Sequence, residues 1–132
     1  MDEPTKTVLI LDDEAVIRQS FSDYFEDRLW CPIAAQSGEE ALTLLDDASP
    51  HCVIVDIGLN GMDGNAFIRD AYRKKPQLAF VICTGSPEYA IPSDVRKLPG
   101  VSDRIFTKPV TDLADLEAEL LRLITRIEAE SV

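Results

Sequence analysis

Five polar side chains stand where apolar runs of the chain stop. Asp12 and Asp13 follow the run Lys6 to Leu11, Asp56 closes Cys52-Val53-Ile54-Val55, Thr84 closes Leu78 to Cys83, and Lys108 follows Arg104 to Thr107. Each has an ordinary use when taken alone. An aspartate caps a helix or makes a turn, a threonine satisfies nearby backbone, and a lysine sits in solvent. Taken together, three carboxylates, a hydroxyl and an ammonium suit phosphoryl transfer, which asks mainly for positioning and charge stabilisation. Crowded carboxylates repel one another and raise their pKa values unless a cation intervenes. Mg2+ fits that place, because it takes oxygen ligands, keeps several waters and is held by one or two carboxylates plus phosphate oxygens. An ionised Asp56 at the edge of such an ion could attack phosphorus. Lys108 and the metal would neutralise charge on the transferring group, and the Thr84 hydroxyl would donate to a phosphoryl oxygen.

These residues need elements that bring them to one place. Lys6 to Leu11 reads as a buried strand entering an acidic loop. From Glu14 to Leu29, the residues Ile17, Phe21, Tyr24, Phe25 and Leu29 recur at helical spacing. Cys31 to Ala35 is a weaker strand. Ser37 with Glu40 fits a capping box, opening a helix that carries Ala41, Leu44 and Leu45. Cys52 to Asp56 is the clearest buried strand, Gly58 to Gly64 a loop, Asn65 to Lys74 a helix, and Leu78 to Cys83 a fourth strand. Pro87, Pro92 and Pro99 leave room only for a short helix over Ser93 to Leu98. Arg104 to Thr107 is a fifth strand. A last helix runs from Asp112 to about Glu128, with Leu113, Leu116, Leu120, Leu123 and Ile127 alternating by three and four. Strand and helix alternate throughout, which predicts an α/β fold: a doubly wound, five-stranded parallel sheet with helices on both faces. In such a sheet all strand ends of one kind lie along one edge, and ligands bind there, so the five polar residues are expected to converge.

Composition narrows the function. A chain of 132 residues suits one domain, and none of its apolar runs approaches the roughly 20 residues of a membrane span. The start, Met1-Asp2-Glu3-Pro4, has no basic or apolar leader. A net charge of -11 repels nucleic acid and anionic membranes, so neither is an expected partner. Cys31, Cys52 and Cys83 make no even framework and are read as small buried hydrophobes in a reducing, cytoplasmic setting. His51 precedes the third strand, at the far edge from Asp56, and Trp30 reads as packing; neither is assigned to the chemistry.

The order of motifs resembles the receiver domain of bacterial response regulators. The resemblance rests on Val8 to Glu14, on Val53-Ile54-Val55-Asp56 with Met62-Asp63-Gly64, on Ile82-Cys83-Thr84-Gly85, and on Phe106-Thr107-Lys108-Pro109. It implies a flavodoxin-like receiver fold over residues 1–132 with no output domain in this chain. It implies that Asp56 accepts a phosphoryl group from a sensor histidine kinase or phosphotransfer protein. Asp13 would bind Mg2+ directly, Asp12 mostly through water, and the Gly58 backbone carbonyl would be a further ligand beside Asp56. Thr84 would be the switch hydroxyl and Lys108 the lysine of the site, preceding a peptide that is often cis in this family. The output would be altered binding to a downstream protein, a missing effector domain, or a second copy through the last helix. The chain would be a signalling phosphoacceptor rather than an enzyme.

Two positions depart from the family pattern. The proline usual four residues after the acceptor is Asn60 here, and the aromatic residue usual three before the lysine is Ile105. Phe106 is adjacent but falls on the opposite face of its strand. Ile105 therefore keeps open an alternative, a receiver-like scaffold that is never phosphorylated. Gly58 and Ser86 offer no group to orient an attacking water, which predicts a phosphoryl-aspartate that is not especially short-lived. Other classes fit less well. An aspartyl-nucleophile hydrolase usually carries a second aspartate where Gly58 stands, and no Gly-rich turn follows the first strand as a dinucleotide site would need.

Overall fold

The computed structural model describes residues 5–58 and 62–130. The chain alternates strand and helix: β1 (Thr7–Leu11), α1 (Ala15–Asp27), β2 (Cys31–Ala35), α2 (Gly38–Ala48), β3 (Cys52–Asp56), α3 (Gly64–Lys74), β4 (Ala79–Thr84), α4 (Ser93–Arg96), β5 (Val101–Thr107) and α5 (Leu113–Glu130). The five strands form one parallel sheet in the order β2-β1-β3-β4-β5. β3 and β4 are buried at every residue, which is why they read as unbroken apolar runs. β2 is an edge strand and tolerates Pro32, whose missing N–H no inner strand could spare.

Alternate residues of each strand face opposite sides. Leu9, Leu11, Val53 and Val55 meet Ala41, Leu45, Phe67, Ile68 and Val95 from α2, α3 and α4. Val8, Ile10 and Ile54 meet Phe21, Phe25, Leu116, Leu120 and Leu123 from α1 and α5. The leucine stripe of α5 is thus spent on the sheet. Ile105 packs with the first cluster and Phe106 with the second, so the two do lie on opposite faces.

Several boundaries differ from the sequence expectation for physical reasons. Leu29 is not part of the apolar stripe of α1. It is 83% exposed with φ 68°, in the left-handed region just past the Arg28 cap. The Leu29 and Trp30 amides donate back to the Glu26 and Phe25 carbonyls, and the Trp30 ring meets Phe25 edge-on at 5.1 Å. This is a Schellman ending, which fixes the turn from α1 into β2. Trp30 is packing, as expected, but its Nε1 also donates to Glu117 at 2.8 Å; Tyr24 and Arg28 donate to the same buried carboxylate. β5 begins at Val101 rather than Arg104. Between Phe80 and Ile82 of β4 it carries extra residues, and the buried Ser102 hydroxyl donates to Glu119 of α5. The expected box at α2 is looser: Ser37 accepts the Glu40 amide, but the Glu40 carboxylate takes the Gln36 amide. Cys52 and Cys83 are buried, whereas Cys31 is exposed.

Candidate functional site

The carboxyl ends of β1, β3, β4 and β5 share one edge, and ladder bonds that continue past the strands hold the loops there. The Asp12 amide donates to Ala35, the Ile57 amide to Cys83, and the Lys108 amide to the Thr84 carbonyl. β1 and β3 are neighbours in the sheet although β2 separates them in sequence, which makes their ends the crevice where ligands of such sheets bind. Asp12 and Asp56 stand at its two sides. Gly64 closes the floor, since a Cβ there would lie 2.8 Å from the Asp56 carbonyl oxygen. Asp63 caps α3 by accepting the Ala66 amide at 2.8 Å, so the segment 62–64 is set by both packing and capping.

Asp12, Asp56 and Thr84 are buried, and Asp13 is half-buried. Lys108 bridges the two buried carboxylates: its Nζ donates to Asp12 Oδ2 at 2.7 Å and lies 3.2 Å from Asp56 Oδ2. Asp12 Oδ1 accepts the Glu14 amide at 2.9 Å, and Asp56 Oδ1 accepts the Gly58 amide at 3.0 Å. One carboxylate oxygen from each of Asp12, Asp13 and Asp56 comes within 4.8 Å of the others. Thr84 Oγ1 accepts the Ser86 amide at 3.0 Å and keeps its proton available to donate.

Burial and the charge of Asp12 push the Asp56 carboxyl above its ordinary range, against the pull of the Gly58 amide and Lys108. Burial works against the Lys108 ammonium, but the hydrogen bond and charge of Asp12, then of Asp56, outweigh it and hold its pKa above the ordinary value. The site therefore carries more negative charge than its lysine balances. That donor set, all oxygen and partly buried, fits a hard divalent cation such as Mg2+. The neighbouring Cys83 thiol is pushed up to about 12 by burial and stays protonated.

A family model described as the response regulator receiver domain matches residues 8–120. The chain belongs to the response-regulator receiver family. The receiver domain is 34% identical over 88 residues to the positive alginate biosynthesis regulatory protein of Pseudomonas aeruginosa, covering 64% of this chain. It is 33% identical over 128 residues to a protein-glutamate methylesterase/protein-glutamine glutaminase of Shewanella oneidensis, covering 92% of this chain. The chain spans about a third of the length of these curated relatives, 35% of each. Its fold matches the signal receiver domain of an HD domain-containing protein from Pseudomonas fluorescens, with a TM-score of 0.84 at 21% identity, over 96% of this chain and 99% of that one. It is the receiver of a two-component response regulator. Among the described residues, no helix is long and apolar enough to cross a membrane.

In this receiver the expected residues Asp12, Asp13, Asp56 and Lys108 meet, and Thr84 lies at the same edge. Gly58 is seen at the site through its amide. The peptide before Pro109 is cis. Asn60 lies outside the described residues. Two further residues reach the site: Arg18, which has no sequence signal, and Glu14, which ends the acidic motif after β1 but has no role assigned to it. Arg18 donates to the Asp12 carbonyl at 2.8 Å, and Glu14 reaches Lys108 at 3.8 Å. Arg18 lies in α1 and Glu14 at its N-cap, and what either charge touches is set only by the folded chain.

Proposed function

We propose that this receiver accepts a phosphoryl group on Asp56 from a sensor histidine kinase or phosphotransfer protein, and that the modified form changes its partner. The observation that carries the reading is Lys108, whose ammonium touches both Asp12 and Asp56 and so stands where charge on a transferring group must be neutralised. An Asp56 oxygen forms the new P–O bond as the P–N bond to the donor imidazole breaks, and the imidazole leaves with that electron pair. Lys108 stays with the oxygens that gain charge, and the Thr84 hydroxyl donates to one of them. Asp13, Asp56 and the Gly58 carbonyl, with Asp12 mostly through water, would hold Mg2+, which when bound screens the carboxylates from one another and from the incoming phosphoryl oxygens. The donor has an apolar landing beside the site. Exposed Val16 lies with Ile17, Phe21, Pro109 and Val110 around a cavity of about 180 Å³ next to Lys108.

On this reading the domain is a signalling phosphoacceptor acting in the cytoplasm, assisting only its own phosphorylation and dephosphorylation. Its outlet is a downstream protein, an effector domain or a second copy. The test is intact mass after incubation with acetyl phosphate. We expect the mass of one phosphoryl group to be added when Mg2+ is present, and not in EDTA or in Asp56→Asn. An equal gain in the variant rejects the assignment.

A further inference from the structure

Downstream of Thr84 the chain is pinned twice to α3. The loop from Gly85 to Ala90 is exposed except at Tyr89, which is half-buried. The Tyr89 side chain packs on the core cluster beneath α3 and α4, and its hydroxyl donates to Asn65 Oδ1 at 2.7 Å. Further on, Asp94 in α4 receives Arg69 through two hydrogen bonds of 2.7 and 3.1 Å. Asn65 and Arg69 are one turn apart and share a face of α3. The two ties are unequal. The Asp94 carboxylate is 62% exposed, so water screens that pair, whereas the Tyr89 hydroxyl is carried by a side chain seated on the core.

Both ends of the Tyr89 tie lead to the site. On one side, the Tyr89 amide donates to the Ser86 carbonyl and the Ser86 amide donates to Thr84 Oγ1, at 3.3 and 3.0 Å. On the other, Asn65 follows Gly64, the residue pressed against the Asp56 carbonyl. Ile105 packs on the same cluster but has no side-chain polar atom with which to make such a tie.

We propose that the Tyr89–Asn65 hydrogen bond is a latch holding the β4–α4 segment on α3 in the unphosphorylated form, and that phosphorylation releases it. The inference rests on the reading of Asp56 as phosphoacceptor. Drawing the Thr84 hydroxyl to a phosphoryl oxygen moves the Ser86 amide bonded to it, and the short turn that follows carries Tyr89 away from Asn65. The surface regulated is then the α3 face at Asn65 and Arg69 together with the freed tyrosine. A bond made in only one of two forms biases their equilibrium, and by linkage it weakens whatever binds the other form by the same factor.

The probe is beryllofluoride with Mg2+, a phosphoryl mimic, titrated into the full chain and followed by amide NMR. We expect Tyr89→Phe to bind it about three- to tenfold more tightly than the native chain, the range of one net hydrogen bond. Asn65→Ala should do the same, and the double variant should gain no more than either single one, because both remove one bond. A tyrosine that merely supports the fold would leave the affinity unchanged or weaken it, and either result overturns the latch, as would additive gains. Native protein that binds no better than Asp56→Asn sinks the phosphoacceptor reading and the latch together. Native binding with unaltered variants sinks the latch alone.

Discussion

Asp56 meets two opposed demands. As the proposed phosphoacceptor its carboxyl must be ionised, yet burial and the nearby Asp12 raise its pKa more than Lys108 and the Gly58 amide lower it. A carboxyl whose folded pKa lies above its unfolded one favours the fold at low pH, and that contribution is lost as pH rises through the folded value. At neutral pH, without a divalent cation, ionised Asp56 therefore costs stability. Asp56→Asn should melt higher than the native chain in EDTA, by an order of a few degrees, and added Mg2+ should close the gap by stabilising the native chain more. Melting followed by circular dichroism in both buffers checks this; equal melting in EDTA would mean that the carboxylates do not strain the fold. The five main site residues were legible because each ends an apolar run, a signal that depends on sequence alone. Arg18 and Tyr89 were not, because what they touch, a backbone carbonyl and a side chain on another helix, is set only by the packed fold.

At the scale of elements, periodicity found every strand and helix but misjudged ends governed by local backbone bonds. Leu29 continued the apolar spacing of α1, yet the Schellman turn places it in the left-handed region, where a side chain brings strain and Leu29 gains no burial in return. Leu29→Gly should raise the unfolding free energy by about 1 kcal/mol in urea titration; a loss of stability would contradict the account of this turn. Ser102 and Asp103 look like loop in the sequence, and it is the Glu119 carboxylate of α5, with the Arg104 amide, that satisfies the Ser102 hydroxyl inside. The Arg122 guanidinium, and then the Ser102 hydroxyl, hold Glu119 below the ordinary carboxylate value of 4.5 despite its burial. A depressed folded pKa stabilises the fold above the unfolded value and ceases to do so as pH falls through the folded one. The stability advantage of the native chain over Glu119→Gln should therefore be full at pH 7 and shrink below about pH 4.5. Urea midpoints along that series test it, and a constant difference would rule it out.

For the whole molecule, the alternation of strand and helix already implied the doubly wound sheet, and because its strands are all parallel their carboxyl ends fall on one edge. That is why residues 12, 56, 84 and 108, far apart in sequence, could be assigned to one place from their positions at strand ends. The loop that carries Tyr89 has no periodicity and escapes such reasoning. The net charge of -11 is spread over helices as well as the site, so composition alone would not have located the acidic crevice. What the sheet brings to that edge is the Asp56 carboxylate faced by Lys108, the pair on which the proposed phosphoryl transfer depends. The most direct test is to phosphorylate the native chain with acetyl phosphate and Mg2+, reduce the product with borohydride, and map the peptides. An acyl phosphate on Asp56 would be converted to homoserine at residue 56 and nowhere else. Homoserine at residue 12 or 13, or a phosphoryl group on another residue that survives the reduction, would contradict the account.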